Sequence, residues 1–231
     1  MSLFKNLSIK LGLPSLIAFS LFSLIQINEI EAISLGSYRA SSTRRIDQKR
    51  TVGSGSRSPI CQTDWEKDSL TLLIPENEVV HHTVSSNPTF YLYAKQTSSE
   101  PLVFNVVDPK SNNGIPLFER EIIVNRLGIK EISVPSNISL ENNKLYLWQI
   151  GFPCKDRPTS VAKVVKGAIE KVTPTDKLLR ELNRTDSSIE KAKVYAINGI
   201  WYDALQLARE NRDLSFFESL LEEANLELLD N

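Results

Sequence analysis

The sequence predicts a mainly β protein with some α: a disulfide-closed antiparallel β-sandwich followed by a small C-terminal helical hairpin or bundle. Two observations point to this class. Cys61 and Cys154, the only cysteines, bracket a region in which apolar residues recur with a period near two. From Thr175 onward the period changes to 3.6, which is typical of helices. The chain has 231 residues, 41% of them hydrophobic, so it can bury a sizeable core.

Residues 1–32 have the pattern of an export signal. Lys5 and Lys10 precede an uncharged run, LGLPSLIAFSLFSLIQI (residues 11–27), and Ala32 offers a small residue for cleavage. A retained membrane anchor is the alternative, because about 20 apolar residues can span a bilayer. We therefore expect a periplasmic or secreted protein, with membrane anchoring through this segment as the alternative.

Residues 33–59 are predicted to be a disordered basic linker. From Tyr38 to Pro59 the segment is rich in Ser, Arg and Gly and nearly lacks apolar side chains. Burial of so few apolar groups cannot offset the entropy lost on ordering the segment. Contact between its arginines and an anionic envelope surface is the alternative interpretation.

The two cysteines are predicted to form one structural disulfide. An isolated pair in an exported protein reads as a disulfide, and its long spacing excludes a CxxC redox motif. A bond between Cys61 and Cys154 would tie the first part of the β region to its last strand.

Seven strand-like segments lie between the cysteines, separated by turn signals. They are SLTLLIP (69–75), VVHHTV (79–84), TFYLYAK (89–95), LVFNVVD (102–108), FEREIIVN (118–125), IKEISVP (129–135) and KLYLWQI (144–150). The piece AKVVKGAIEKV (162–172) fits a strand or a helix, and its β-branched residues favour a strand that returns to the sheet. The sandwich domain is therefore assigned to residues 60–173.

Residues 174–231 are predicted to form a C-terminal helical segment. After a short helix in DKLLRELNR, Ser187 and Glu190 make a capping box that starts a second helix, and Gly199 ends it as a left-handed cap. In GIWYDALQLARE (199–210), Trp201 and Ala204 begin a buried stripe, whereas Asp203 is expected at an exposed position. A last helix carries Phe216, Phe217, Leu220, Leu221 and Ala224.

The hairpin around Gly199 locally resembles a tetratricopeptide repeat. The resemblance rests on the spacing of Ala192, Tyr195, Gly199, Trp201, Ala204 and Ala208. We assign packing roles to Tyr195, Gly199, Trp201 and Ala204. One unit is visible, and repeat arrays need several stacked units for stability. The stretch is therefore interpreted as a packing signature rather than a catalytic one.

Taken in order, these pieces resemble the cyanobacterial domain of unknown function 928 family. The resemblance covers about residues 60–225 and rests on the export signal, Cys61, LTLLIP, TVSSNPTFYLY, FNVVD, YLWQIGFPC, VVKGAIEKV and GIWYDAL. It implies an exported protein without an established activity, and it supplies no catalytic residues.

The residues themselves predict no catalytic group, no metal and no cofactor. His81 and His82 are adjacent in a predicted strand, so their side chains point to opposite faces and do not share a metal. DWEKDS (64–69) places acids at alternate positions but has Ser69 where a calcium loop needs glycine.

Aromatic side chains are the candidate binding groups. Tyr91, Tyr93 and Trp148 lie on predicted strands, and strict alternation would turn some of them outward, where aromatics often bind sugars or proteins. For the aromatic side chains as a set, burial in the sandwich core is favoured, whereas for Tyr91 and Tyr93 burial and exposure are about equally supported.

The function predicted from these observations is a non-enzymatic envelope module that binds a protein or an envelope glycan. Net charge is −1, so nothing indicates nucleic acid as a partner. Two alternatives stand beside it: a hydrolase acting on envelope polymers, which needs two carboxylates facing a cleft, and a structural accessory of a secretion or surface assembly.

Overall fold

All seven strands expected between the cysteines are present, and the ambiguous eighth piece is also a strand. A computed structural model of the chain describes residues 38–40, 43–46, 61–66, 68–111, 115–211 and 214–226, so the predicted export signal lies outside the described residues. The strands are β1 (Leu70–Leu72), β2 (Val80–Thr83), β3 (Thr89–Ala94), β4 (Ser98–Val107), β5 (Phe118–Val124), β6 (Gly128–Ser133), β7 (Lys144–Cys154) and β8 (Arg157–Lys171).

The strands form two sheets. One has three strands in the order β1-β3-β6, and the other has five in the order β2-β8-β7-β4-β5. The expectation of a wholly antiparallel arrangement is wrong at one pair, because β2 runs parallel to β8. A parallel pair needs a long connection between its strands, and here that connection contains five other strands. Spacing of hydrophobic residues carries no information about such a distant pairing.

Side chains from both sheets meet in one core. The ring of Phe90 on β3 lies 5.3 Å from the ring of Phe104 on β4 and 4.9 Å from that of Trp148 on β7. Each of these three side chains is completely buried. The structure is therefore mostly β with some α, with two sheets that share a core.

The long β7–β8 hairpin organises the five-stranded sheet and carries the disulfide. Cys154 at the end of β7 bonds to Cys61, 93 residues earlier, which confirms the predicted pair. Gly167 on β8 lies opposite Trp148, and a Cβ added to this glycine would come within 2.7 Å of the indole nitrogen. Glycine at this position therefore leaves room for the Trp148 indole beside the neighbouring strand.

The C-terminal helices follow the predicted boundaries closely. They are α1 (Asp176–Leu182), α2 (Ser188–Ile197), α3 (Trp201–Glu210) and α4 (Ser215–Glu223). The side chain of Ser187 accepts a hydrogen bond from the backbone of Glu190 and so caps α2, and Gly199 has the left-handed φ of 73° predicted for it. Within the described residues no helix is both long and apolar enough to cross a membrane.

Helix α3 lies in the same core as the strands. Trp201 and Ala204 are completely buried, as predicted, whereas Tyr195 on α2 is only partly buried. The indole N–H of Trp201 donates to the Leu73 carbonyl at 2.9 Å, and that of Trp148 donates to the Tyr202 hydroxyl at 2.8 Å. The helical segment is therefore bonded directly to the β region.

A smaller apolar cluster lies apart from the main core. It contains Val80, Val107, Leu147 and Ala168 from four strands of the five-stranded sheet. Ile46, which belongs to the segment predicted as a linker, packs against this cluster. Part of that segment is therefore in contact with the folded protein.

Candidate functional site

The aromatic side chains chosen from the sequence do not form a surface. Tyr91, Tyr93 and Trp148 are 3%, 6% and 0% exposed, so the prediction that they present a binding face is wrong. All six residues of β3 are buried. Alternation assigns one face of a strand to solvent only when that face is uncovered. Strand β3 is the central strand of its sheet and is covered on both faces.

The outer edge of β2 is the candidate site instead. β2 is the last strand of the five-stranded sheet, and a short N-terminal segment lies along its other side. We call residues 38–40 and 43–46 the arm. The backbone N–H of Val80 donates to the Arg44 carbonyl at 2.9 Å, and that of Ile46 donates to the Glu78 carbonyl at 2.8 Å. These two pieces are therefore ordered against the sheet, unlike the disordered linker that composition predicts.

Salt bridges reinforce the pairing of the arm with the sheet edge. Arg45 lies 2.6 Å from a carboxylate oxygen of Glu76 and 3.0 Å from one of Glu78. Arg44 reaches Glu170 on β8 at 3.0 Å, and the Glu170 side chain is 18% exposed. A partly desolvated pair is screened less by water and salt than a pair in open solvent. Two neighbouring arginines thus meet three carboxylates on the body of the protein.

The other end of the arm is held by a tyrosine. The Tyr38 ring packs edge-on against Trp201 with centroids 4.8 Å apart, and its hydroxyl lies 3.1 Å from Nδ1 of His81. Nε2 of His81 lies 2.9 Å from the Glu76 carbonyl, which can only accept, so Nε2 carries the hydrogen. Nδ1 then accepts from Tyr38. Burial lowers the pKa of His81 and raises that of Tyr38, so both stay neutral near neutral pH.

A cleft of about 220 Å³ lies between the arm and the body. Its lining residues are Ala40, Thr43 and Arg45 of the arm and Pro75, Glu76, Val79 and His81 of the body. The small side chains of Ala40 and Thr43 leave this space incompletely filled. His82 faces a different cleft, of about 240 Å³, beside the start of α1. The two histidines thus lie in separate environments, as their adjacency on a strand predicts.

Asp203 connects α3 to the end of β2. Its carboxylate accepts from the Thr83 hydroxyl at 2.7 Å and from the Val84 backbone N–H at 3.1 Å. The expectation that Asp203 is exposed is wrong, because the residue is partly buried between α3 and the end of β2. This burial raises its pKa to about 6 in spite of the hydrogen bonds. Helical periodicity places Asp203 beside the buried stripe but does not show that β2 ends against it.

Acidification is expected to strengthen the contribution of Asp203 to folding. The pKa of its carboxyl is 3.8 ordinarily and about 6 in the folded protein. The folded state therefore binds the proton more tightly, and the free energy of unfolding falls as pH rises from about 4 to about 6. Two pKa units correspond to about 3 kcal/mol. Thermal unfolding of the wild type and of Asp203→Asn at pH 4 and pH 8 measures this contribution.

Relative to the wild type, the Asp203→Asn variant should be more stable at pH 8 than it is at pH 4, because only the wild type loses this contribution to the free energy of unfolding as pH rises. The exposed Asp156, in the β7–β8 turn, gives the control substitution Asp156→Asn. An Asp203→Asn difference that is the same at both pH values would show that the carboxyl titrates normally.

The described part of the chain holds no group of three or more His, Cys, Asp or Glu side chains that could bind a metal ion. The chemistry of the described residues at the β2 edge is that of a recognition site. The arm is bound there by backbone hydrogen bonds, by three carboxylates, by Nδ1 of His81, which accepts from a hydroxyl, and by the ring of Trp201.

Sequence reasoning missed the arm because its composition is that of a linker. The sequence contains one weak indication that the arm is bound. Tyr38 and Ile46 have large apolar side chains, and the rest of the segment nearly lacks such side chains. Adjacent arginines at 44 and 45, and acids at 76 and 78, are complementary, but sequence separation gives no reason to pair them.

Comparison with known protein families identifies a model that matches this chain. The family model described as Domain of Unknown Function (DUF928) matches residues 52–231, which is most of the chain. No curated protein and no solved structure is significantly similar to this sequence. The acidic groups, His81 and Trp201 all lie within the matched range, whereas the arm lies before it.

Proposed function

The chain belongs to the DUF928 family, and on that premise we propose that it is an exported, non-enzymatic module that binds another protein along the outer edge of β2. Export is supported by the signal-like pattern of residues 1–32 and by the disulfide, since disulfides persist in oxidising compartments. Part of this proposal is that the two sheets form a closed sandwich, which supplies a rigid frame for the edge.

The observation that carries the binding role is the pairing of β2 with the arm. An extended segment already adds to this edge through the Arg44 carbonyl and the Ile46 N–H. Strand addition to an exposed edge is a common mode of protein recognition, in which backbone hydrogen bonds give affinity and side-chain pockets give specificity. The edge of β2 has both features, because clefts and charged groups flank its backbone.

A crosslinking experiment in the exporting cell tests the proposal. A photoreactive amino acid replaces Glu78, whose side chain is 47% exposed at the β2 edge. The control carries it at Glu119 on β5, the opposite edge strand of the same sheet. We expect a reproducible protein adduct from position 78 and none from position 119.

The adduct partner is then purified and its binding to the full chain is measured directly. A synthetic peptide of residues 36–48, which contains the arm, should compete with it for the edge. Equal crosslinking at both positions, or binding that this peptide does not reduce, would count against the β2 edge. Turnover of an envelope polymer by the purified protein would instead favour the hydrolase alternative.

A further inference from the structure

We infer that the β2 edge recognises an extended partner segment in which an aromatic residue is followed by two arginines, in the order and spacing of Tyr38, Arg44 and Arg45. The chain's own arm occupies the same surface and competes with the partner. We call this surface the groove, and it is formed by Glu76, Glu78, Val79, Val80, His81, Glu170 and Trp201. This inference rests on the proposed function and specifies the chemistry of the partner. Four features of the groove support it.

The first feature is a preset place for an aromatic hydroxyl. His81 is 1% exposed, and its Nε2–H is already committed to the Glu76 carbonyl, so Nδ1 is left as an acceptor. Trp201 supplies an apolar ring beside it, on which Tyr38 packs at 4.8 Å. A phenol satisfies both groups at once, whereas an aliphatic side chain would leave a buried acceptor without a donor.

The second feature is a row of carboxylates matched to adjacent arginines. Neighbouring residues of a strand point to opposite faces. Arg44 meets Glu170 on β8, while Arg45 meets Glu76 and Glu78 on the chain that leads into β2. The groove can therefore form salt bridges with two consecutive positively charged residues, one on each face of the added strand.

The third feature fixes the direction and register of the segment. Arg45 is paired with Val79 in an antiparallel bridge, and the hydrogen bonds of Arg44 and Ile46 flank it. Next to the arginines, Ile46 packs against the second apolar cluster of Val80 and Leu147. A slip by one residue would exchange the faces of both arginines and of the isoleucine, so the register is well specified.

The fourth feature is the unfilled cleft. About 220 Å³ remains between the body and the small side chains of Ala40 and Thr43. A segment with a bulkier apolar residue at the position of Thr43 would fill this space and exclude water from it. The arm therefore fills the groove less completely than a segment with a larger side chain at this position would. Incomplete filling favours displacement of the arm by such a segment.

The arm is also tethered to the site that it covers. A segment that belongs to the same chain as its binding site competes at an effective concentration of about millimolar, so a separate segment must bind more tightly to displace it. The groove residues lie within the family match of residues 52–231, and the arm lies before it. Receptor and competitor thus belong to different parts of the chain.

Fluorescence anisotropy with a labelled peptide of residues 36–48 tests the inference on the full chain. In the triple variant Tyr38→Ala, Arg44→Glu, Arg45→Glu, the arm no longer matches the groove, while the groove itself is unchanged. We expect this variant to bind the peptide at least tenfold more tightly than the wild type does. A peptide carrying Thr43→Leu should bind more tightly than the unmodified one.

Charge reversal supplies the control. Adding Glu170→Lys to the triple variant should weaken peptide binding at least tenfold, and a peptide carrying Arg44→Glu should recover part of the loss. If the triple variant loses the circular dichroism of the wild type, Arg44→Glu alone is used, because that side chain is 52% exposed and lies outside the core.

Absence of peptide binding to a folded variant, or equal binding to variant and wild type, would overturn the inference. A crosslinked partner at position 78 would still leave the proposed function standing in that case. Analytical sedimentation of the wild type measures its oligomeric state and tests whether the occupant is a second copy of this chain. A dimer that the peptide dissociates would make a second copy of this chain the occupant, and would overturn the assignment to a different protein.

Discussion

Replacing both Cys61 and Cys154 with serine is expected to lower the free energy of unfolding by about 4 kcal/mol. The bond closes a loop of 93 residues, and a cross-link over a loop of this length restricts the unfolded chain by about 4–5 kcal/mol in the chain-entropy model. For a protein of this size, such a loss lowers the melting temperature by about 10 °C or more. Thermal unfolding of the wild type with and without reductant, and of the double variant, measures the effect.

The bond also has a structural role in the native state. It fixes the segment before β1 to the turn between β7 and β8, where the backbone N–H of Lys155 donates to the Gln62 carbonyl. Lys155 also forms a salt bridge with Asp64 at 2.9 Å. These contacts are weak individually, since exposed salt bridges contribute little. Without the disulfide they would have to hold the segment alone.

Reductant should destabilise the wild type but leave the Cys61→Ser, Cys154→Ser variant unchanged. This control separates the disulfide from other effects of the reductant. A mass difference of two hydrogens confirms that the wild type has been reduced. If the reduced and the oxidised wild type have the same melting temperature, the disulfide does not restrict the unfolded chain in the way that we propose.

Local patterns were sufficient to predict the strands and helices of this chain. TFYLYAK and KLYLWQI are strands because their β-branched and aromatic residues favour extended backbone, and Gly199 ends α2 because glycine accepts a positive φ without strain. The disulfide was predictable because the chain has no other cysteine. Each of these features depends on residues that are close in sequence or, for the disulfide, on the number of cysteines.

Features that depend on distant contacts were not predictable in this way. Helical periodicity does not predict the burial of Asp203, because it says nothing about the end of β2, where the Thr83 hydroxyl donates to the Asp203 carboxylate. Alternation does not tell which sheet faces are covered, so it does not predict that Tyr91 is buried. The composition of the arm predicts a linker because its few large side chains are separated by polar ones. Tyr38 is held by contacts with distant parts of the chain: its ring packs against Trp201 near His81, and its backbone N–H donates to Glu223.

Replacing Trp201 with alanine is expected to lower the free energy of unfolding by about 3–5 kcal/mol. The side chain is completely buried where α3 meets the β region, and removal of a buried aromatic ring loses its transfer energy and leaves a cavity. Its indole N–H also satisfies the buried carbonyl of Leu73. Loss of that donor adds the cost of an unpaired buried acceptor. Urea unfolding at neutral pH measures the change.

Trp201→Phe separates the ring from the hydrogen bond. Phenylalanine retains most of the apolar contact but cannot donate to Leu73, so this variant should lose only about 1–3 kcal/mol. Tyr202 offers a second comparison on the same helix, because its hydroxyl accepts from Trp148 and donates to the Ala168 carbonyl. Tyr202→Phe removes these hydrogen bonds and leaves Trp201 in place.

Trp201 also links stability to the proposed binding groove, and this gives its substitution a second readout. The Tyr38 ring packs directly on it, so a double-mutant cycle of Tyr38→Ala and Trp201→Ala should show a coupling energy of about 0.5–1.5 kcal/mol. A folded Trp201→Phe variant should still seat the arm, because an aromatic surface remains. If Trp201→Ala costs less than about 1 kcal/mol, or if the two substitutions are additive, then α3 is not the element that joins the core to the arm.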